Sequence, residues 1–240
     1  MTDTAERIVL VTGASKGLGR AAALAIAKTG AHVIATARSK RALEKLDDEI
    51  RAATGRGATL VPLDLRDASA IDGLAPALLE RYGRLDGLLG NAGVLGTLGP
   101  IAMITPSAFA ETMEVNFTAN WRLIRALDPL LRASPAGRAL FVTSGASVRP
   151  RAYWGAYAAS KAALDAMIAC YADETEQLTL NVNLYDPGPT RTDMRFKAMP
   201  GEDQSTLPTP DEVASKIPYY LSAECDQHGQ RISYRALVAQ

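Results

Sequence analysis

Cysteine and histidine are nearly missing from this 240-residue chain, with two of each. Cys170 and Cys225 are too few for a disulfide framework, and neither has metal-ligating neighbours in the sequence. His32 reads as the start of a strand and His228 as part of a glycine-flanked turn. The ligand spacing of a zinc site is therefore absent, and no metal is expected. An excess of either charge is also lacking, because 26 Lys and Arg cancel 26 Asp and Glu. That balance removes the electrostatic argument for a nucleic acid or an anionic membrane as partner. No uninterrupted apolar run approaches the ~18–20 residues that span a bilayer. Met1–Arg7 is polar and leads straight into a strand, without the apolar segment of a signal peptide. The expectation is a soluble, cytoplasmic protein.

What the chain does contain is a regular alternation. Strands are predicted at Ile8–Thr12, His32–Thr36, Ala58–Leu63, Leu85–Leu89, Ala139–Thr143 and Leu180–Tyr185. Several are continuous Val/Ile/Leu/Ala runs, the pattern of strands covered on both sheet faces. Helical periodicity fills the gaps at Leu18–Thr29, Ser39–Thr54, Ala68–Tyr82, Pro106–Leu131 and Tyr157–Gln177. A last helix is predicted at Asp211–Leu221, with a short strand near Arg231–Tyr234. Strand–helix alternation predicts an α/β fold: one doubly wound, Rossmann-like parallel sheet with helices on both faces. No linker, repeat or low-complexity stretch divides the chain, so residues 1–240 are expected to form a single domain. The connection 187–210 is long for a compact domain, and it reads either as a lid over a binding site or as a surface loop.

The first strand runs into Thr12-Gly13-Ala14-Ser15-Lys16-Gly17-Leu18-Gly19, which opens the first helix. Glycines there permit a tight turn and close backbone approach to an anion, and the helix N-terminus offers unbonded N–H groups and a positive dipole end. The spacing Gly-x3-Gly-x-Gly differs from Gly-x-Gly-x-x-Gly, but a strand before and a helix after are the context such a motif needs. A dinucleotide pyrophosphate is the leading ligand. The second strand ends in Ala37-Arg38-Ser39-Lys40, with no carboxylate to bind a ribose 2′-hydroxyl. Arg38 offers a planar fork for a 2′-phosphate, and Lys16 lies in the neighbouring turn. NADP(H) is therefore expected over NAD(H).

Tyr157 and Lys161 stand four residues apart in a predicted helix, so their side chains project from one face about a turn apart. A phenol is a poor acid or base at neutral pH, and a nearby cation favours its ionised form. Such a pair suits proton transfer at a carbonyl or alcohol oxygen.

Together these motifs resemble the short-chain dehydrogenase/reductase family over almost the whole chain. The glycine turn Thr12–Gly19 carries the resemblance, as do Asp64 and Leu65 after the third strand and Asn91-Ala92-Gly93 after the fourth. Asn116 in Val115-Asn116-Phe117, Ser144 after the fifth strand, and Pro187-Gly188 after the sixth extend it. Ser144 stands thirteen residues before Tyr157, a spacing typical of that family. The resemblance implies that Tyr157 delivers a proton while the nicotinamide transfers hydride, and that Ser144 holds the substrate oxygen. It implies that Lys161 stabilises the phenolate and bonds the nicotinamide ribose, and that Asn116 supports a water leading from Lys161 to solvent. It implies cofactor contacts from Gly13, Ser15, Lys16, Gly17, Leu18 and Gly19, from Arg38 and Ser39, and from Asp64, Leu65, Asn91, Ala92 and Gly93. Pro187, Gly188, Thr190 and Thr192 are implied cofactor contacts as well, alongside Tyr157 and Lys161. At the C-terminus the family's common Gly-Gly is replaced by Tyr234-Arg235-Ala236.

The activity implied is reduction of a small ketone or aldehyde. The alternatives are a cofactor-binding regulator without turnover and an NAD-linked alcohol dehydrogenase. Val94, Leu95 and Leu98, with Tyr153 and Trp154, are expected to border the substrate, and Met194 and Phe196 to close over it. Arg149, Arg151, Arg191 and Arg195 either bind an acidic substrate tail or carrier, or are solvated loop residues. The alanine-rich helix Tyr157–Gln177 permits close helix approach, so a homodimer or homotetramer is expected.

Overall fold

A computed structural model describes residues 6–239; Met1–Ala5, most of the expected polar lead-in, lie outside the described residues, as does Gln240. Seven strands, β1 (Ile8–Thr12), β2 (His32–Ala37), β3 (Thr59–Pro62), β4 (Gly87–Gly90), β5 (Arg138–Val142), β6 (Asn181–Asp186) and β7 (Arg231–Ser233), form one sheet in the order β3-β2-β1-β4-β5-β6-β7. Every pairing is parallel. The order reverses at β1/β4, which opens a crevice beyond the strands' carboxyl ends.

The continuous apolar runs have a direct cause. In β1, Val9 and Val11 pack into one core while Ile8 and Leu10 pack into a second core across the sheet. Because side chains alternate between faces, a strand covered on both sides needs apolar residues at every position. The first face is covered by α1 (Gly17–Ala27) and α2 (Lys40–Thr54). The opposite face is covered by α3 (Ala68–Asp72), α4 (Leu74–Tyr82), and, after α5 (Pro106–Met113), by α6 (Ala119–Arg132) and α7 (Gly155–Thr175). No helix of the described residues is long and apolar enough to cross a membrane.

Three predicted helices differ from expectation. Ala68–Tyr82 is broken at Gly73, a weak helix former. Pro106–Leu131 is interrupted by a π-helical turn at Glu114–Thr118 that carries Asn116. An inserted residue of this kind rotates one side chain out of the helical register, and such bulges gather at functional sites. The segment 187–210 contains α8 (Asp193–Ala198), so it is an ordered flap with its own helix. Beyond it, Asp211–Leu221 resolves into α9 (Pro210–Ala214) and α10 (Ile217–Tyr220), each with proline in its first turn, where the missing N–H costs nothing. β7 stops at Ser233, and Tyr234 begins α11 (Tyr234–Val238) instead of ending the strand.

Candidate active site

Residues following β1 through β6 border one cleft of about 1610 Å³. The glycine turn forms one end of it. Gly13 and Gly17 have φ of 67° and 55°, in the left-handed region where a side chain is strained. A Cβ on Gly19 would lie 2.3 Å from Asn91 Nδ2 and 2.4 Å from the Gly13 carbonyl oxygen, so no larger residue fits. Asn91 Nδ2 donates to the Thr12 carbonyl at 2.8 Å, and Thr12 Oγ1 accepts from the Asn91 and Ala92 N–H groups at 2.9 and 3.0 Å. The Asn91 side chain thus braces the turn, and Asn91 lines the cleft beside it. No acidic residue or side-chain cap occupies the start of α1, which leaves its N–H groups for an anion. Ser15 and Leu18 line the same end.

At the end of β2, exposed Arg38 lines the cleft. Ser39 does not; its Oγ accepts from Ala42 N and caps α2, a role the preference for serine at helix starts explains. Lys16, expected beside Arg38, pairs with Asp193 of α8 at 3.1 Å. Asp64 and Leu65 line the cleft as expected. The Asp64 carboxylate is gripped by Arg66, whose hydrogen bonds hold its pKa down at about 2. The cradle of glycines, the bare helix start and Arg38 fit the phosphates of an adenine dinucleotide carrying a 2′-phosphate.

Ser144, Tyr157 and Lys161 all line the cleft. Tyr157 and Lys161 are both buried, one turn apart on α7. Burial raises the phenol pKa above its usual value, a hydrogen bond from Ser144 opposes that rise, and the Asp186 charge adds to it. A lysine neighbour was expected to favour the phenolate; in the folded protein desolvation wins. Lys161 Nζ donates to the Val142 carbonyl at 2.8 Å, and burial lowers its pKa to about 8 against the opposing pull of Asp165. Ser144 Oγ accepts from Ala146 N at 3.2 Å, which leaves its single O–H to donate to the Tyr157 oxygen. Asn116 is fully buried behind them. Its amide clamps the Val94 backbone, accepting from N at 2.8 Å and donating to O at 2.9 Å, and it donates to Ser160 Oγ at 3.0 Å. A Cβ on Gly93 would lie 3.2 Å from Asn116 Oδ1 and 3.6 Å from Lys161 Nζ, so the Asn-Ala-Gly segment passes directly over both.

Pro187, Gly188, Thr190 and Thr192 form one wall of the cleft, and Thr192 meets the glycine turn, its Cγ2 3.5 Å from where a Gly17 Cβ would be. Thr190 Oγ1 bonds the Pro187 and Gly188 carbonyls, and Thr192 Oγ1 caps α8 by accepting from Arg195 N at 3.2 Å. Both hydroxyls therefore shape the wall. Val94, Leu95, Leu98, Trp154 and Met194 border the remaining space, with the Trp154 ring edge-on to Tyr157 at 5.8 Å. Tyr153 and Phe196 do not line it; both side chains are mostly exposed.

The chain matches the short chain dehydrogenase family over residues 7–203. It belongs to that family. An uncharacterized oxidoreductase of Escherichia coli K12, YciK, is 43% identical over 218 residues, spanning 90% of this chain and 85% of that protein. A short chain dehydrogenase from Escherichia coli CFT073 solved in complex with NADPH is 39% identical, with a TM-score of 0.92 over 95% of this chain and 96% of that one. Another, from Shigella flexneri and complexed with NADP, is 39% identical with a TM-score of 0.90, covering 98% and 100%. The chain is thus an oxidoreductase of the short-chain dehydrogenase/reductase family.

One feature of this short-chain dehydrogenase escapes motif reading. Arg231 of β7 donates to Asp165, to Asp186 at 3.0 Å, to Ser147 Oγ at 3.1 Å and to the Ser144 carbonyl at 2.9 Å. Asp165 lies one turn beyond Lys161 on α7 and also accepts from Thr143 and Ser147. The guanidinium therefore ties the ends of β5 and β6 to the helix that carries Tyr157 and Lys161. The i, i+4, i+8 spacing of Tyr157, Lys161 and Asp165 was the available signal. Nothing local pointed to Arg231, 66 residues away from Asp165.

Proposed function

We propose that the chain acts as one domain, residues 1–240, that uses NADP(H) to reduce a small ketone or aldehyde to the alcohol, with Tyr157 as proton donor. The observation that carries this reading is the convergence of buried Tyr157 and Lys161 with Ser144 between a phosphate cradle and an apolar pocket. Arg38 at the end of β2, where a carboxylate would select NAD, favours the 2′-phosphate, as do the NADPH and NADP complexes of the similar structures. The chemistry supplied by the reduced nicotinamide is transfer of a hydride to the carbonyl carbon.

The chain's own residues do the rest. The Ser144 O–H, which bonds the Tyr157 oxygen in the empty cleft, turns to the substrate oxygen and fixes its position. Burial keeps the Tyr157 phenol protonated at neutral pH, so its proton is at hand when the oxygen becomes an alkoxide, a far stronger base than a phenolate. Lys161 then exchanges its backbone bond for the charge left on the phenol. Asn116 holds Val94 and Gly93 over the pair, and its backbone carbonyl, already bonded by Asn120 Nδ2 at 2.9 Å, keeps a lone pair for a water leading outward. Val94, Leu95 and Trp154 exclude bulk solvent and fit an apolar body beside the carbonyl.

A panel of ketones and aldehydes followed by NADPH absorbance tests the reading. Tyr157→Phe is expected to bind NADPH normally and lose reduction by about 100-fold or more; unchanged turnover would rule Tyr157 out as the donor. The exposed face of α7 carries Ala159, Ala162, Ala166 and Ala169, which permit close approach of a second copy. We place a homodimer or homotetramer contact there, and light scattering that shows only monomer at micromolar concentration excludes it.

A further inference from the structure

We propose that the carbonyl substrate of this site carries an anionic group, a carboxylate or a phosphate, held at the rim of the cleft by Arg149, Arg151 and Arg235. The inference rests on the reductase reading above and specifies its substrate class.

Charge is distributed unevenly in a chain whose cations and anions balance overall. Eleven Lys and Arg line the cleft against five Asp and Glu, an excess of six. All five carboxylates are already paired: Asp64 and Glu111 with Arg66, Asp186 with Arg231, Asp193 with Lys16, and Glu202 with Arg195. The 2′-phosphate and pyrophosphate of NADPH together bring roughly four negative charges. They meet the start of α1 and Arg38, with α8 lying against the glycine turn through the Lys16–Asp193 pair.

Arg149, Arg151 and Arg235 lie elsewhere. The first two follow β5, three strand spacings or about 14 Å from β2, the strand that ends at Arg38. Arg235 of α11 sits over the Pro187–Gly188 turn, with its Cγ and Nε 3.5 Å from where a Gly188 Cβ would be. None of the three has an ion-pair partner among the described residues. Arg149 and Arg151 therefore lie at the Ser144 end of the cleft, away from Arg38, and Arg235 lies over the turn that follows the neighbouring strand β6.

The segment bearing Arg149 and Arg151 is braced. Arg149 N donates to the Gly145 carbonyl at 2.9 Å, Trp154 N to the Arg151 carbonyl at 3.2 Å, and Pro150 stiffens the residue between. Tyr153 adopts φ of 72°, which non-glycine residues rarely do, and its carbonyl accepts from Gly99 N at 2.9 Å on the opposite lip. The arginines are thus presented from a fixed loop beside the proposed proton donor. A guanidinium matches carboxylate and phosphate oxygens two at a time, which sets orientation as well as affinity.

The test uses the NADPH-loaded protein and probe pairs that share a carbonyl and differ in charge: 4-carboxybenzaldehyde against its methyl ester, and glyceraldehyde 3-phosphate against glyceraldehyde. Binding is measured by calorimetry and turnover by NADPH absorbance. At least one anionic member is expected to bind about tenfold tighter than its neutral partner, with the margin shrinking as salt is raised. Preference in the first pair identifies a carboxylate site, and in the second a phosphate site. Arg149→Gln with Arg151→Gln, and separately Arg235→Gln, are expected to reduce the anion-to-neutral ratio toward one. Equal binding within both pairs, no binding by any probe, or a ratio unchanged in these variants would overturn the proposal. The Tyr157→Phe protein separates the two readings, because it is expected to keep the anion preference in binding while losing turnover. An anion preference with no reduction by the native protein would count against the reductase reading and leave the anion site standing.

Discussion

Replacing Arg231 with methionine isolates what the tertiary structure adds behind the site. The change keeps the unbranched apolar stem but removes a guanidinium that bonds two carboxylates, a hydroxyl and the Ser144 carbonyl. Asp165 and Asp186, whose side chains are only 18% and 14% exposed, are left without their cation. Stranding one partner of a fully buried pair costs about 3–5 kcal/mol. Arg231 is 27% exposed, so water recovers part of that, and a loss of about 2–3 kcal/mol is expected. For a chain of this size that is a fall in Tm of about 5–10 °C. A local effect accompanies it. Asp186 raises the Tyr157 pKa and Asp165 raises that of Lys161, and Arg231 offsets both charges. Without it both groups hold their protons to higher pH, so the pH above which carbonyl reduction declines moves up. Calorimetric unfolding and a pH profile of NADPH-dependent reduction read the two effects. Arg231→Lys should restore part of each, and Asp165→Asn in the methionine background should recover stability by removing one stranded charge. A Tm within a degree of native, with an unmoved profile, would refute the argument.

Two further outcomes follow from the same structure. Lys161 is buried with its pKa lowered to about 8, whereas an unfolded lysine titrates near ~10.4. Between those values the unfolded chain binds the extra proton, so native stability should rise with pH across that window and carry its full penalty below it. Lys161→Met should therefore abolish turnover, flatten that slope, and stabilise the protein at neutral pH by about 1–3 kcal/mol; urea unfolding of a less stable variant would contradict this. Arg38→Asp should weaken NADPH by about 10- to 100-fold and NADH much less, since only the former places a phosphate there; equal losses in fluorescence titrations would reject the NADP(H) assignment.

Most of the residues singled out in the sequence line the cleft, because its motifs are local. Gly13, Gly17 and Gly19 follow a strand and open a helix within eight residues, and all line the cleft. Tyr157 and Lys161 need only a helix to share a face. Ser39 and Asn91 lay in the right segments, but their side chains are bonded to α2 and to Thr12, which motif spacing cannot show. The split of Pro106–Leu131 was hidden because the apolar pattern continues through the π turn. The turn is recognised by the clamp of Asn116 on Val94, a residue 22 positions upstream.

The sequence by itself determined the strand–helix alternation, and with it the parallel sheet, because period and turn chemistry are properties of short windows. It also supplied the glycine turn and the order of Asn, Ser, Tyr and Lys along the chain. Only the tertiary structure decided the electrostatics. Whether a phenol beside a lysine is made more or less acidic depends on how much water reaches it, and burial of Tyr157, with Trp154 edge-on to its ring, reverses the sign expected from the pair alone. Likewise, Arg231 meets Asp165 and Asp186 only because the sheet brings the ends of β5, β6 and β7 together. Desolvation and long-range pairing belong to the closed chain, and no window of residues contains them.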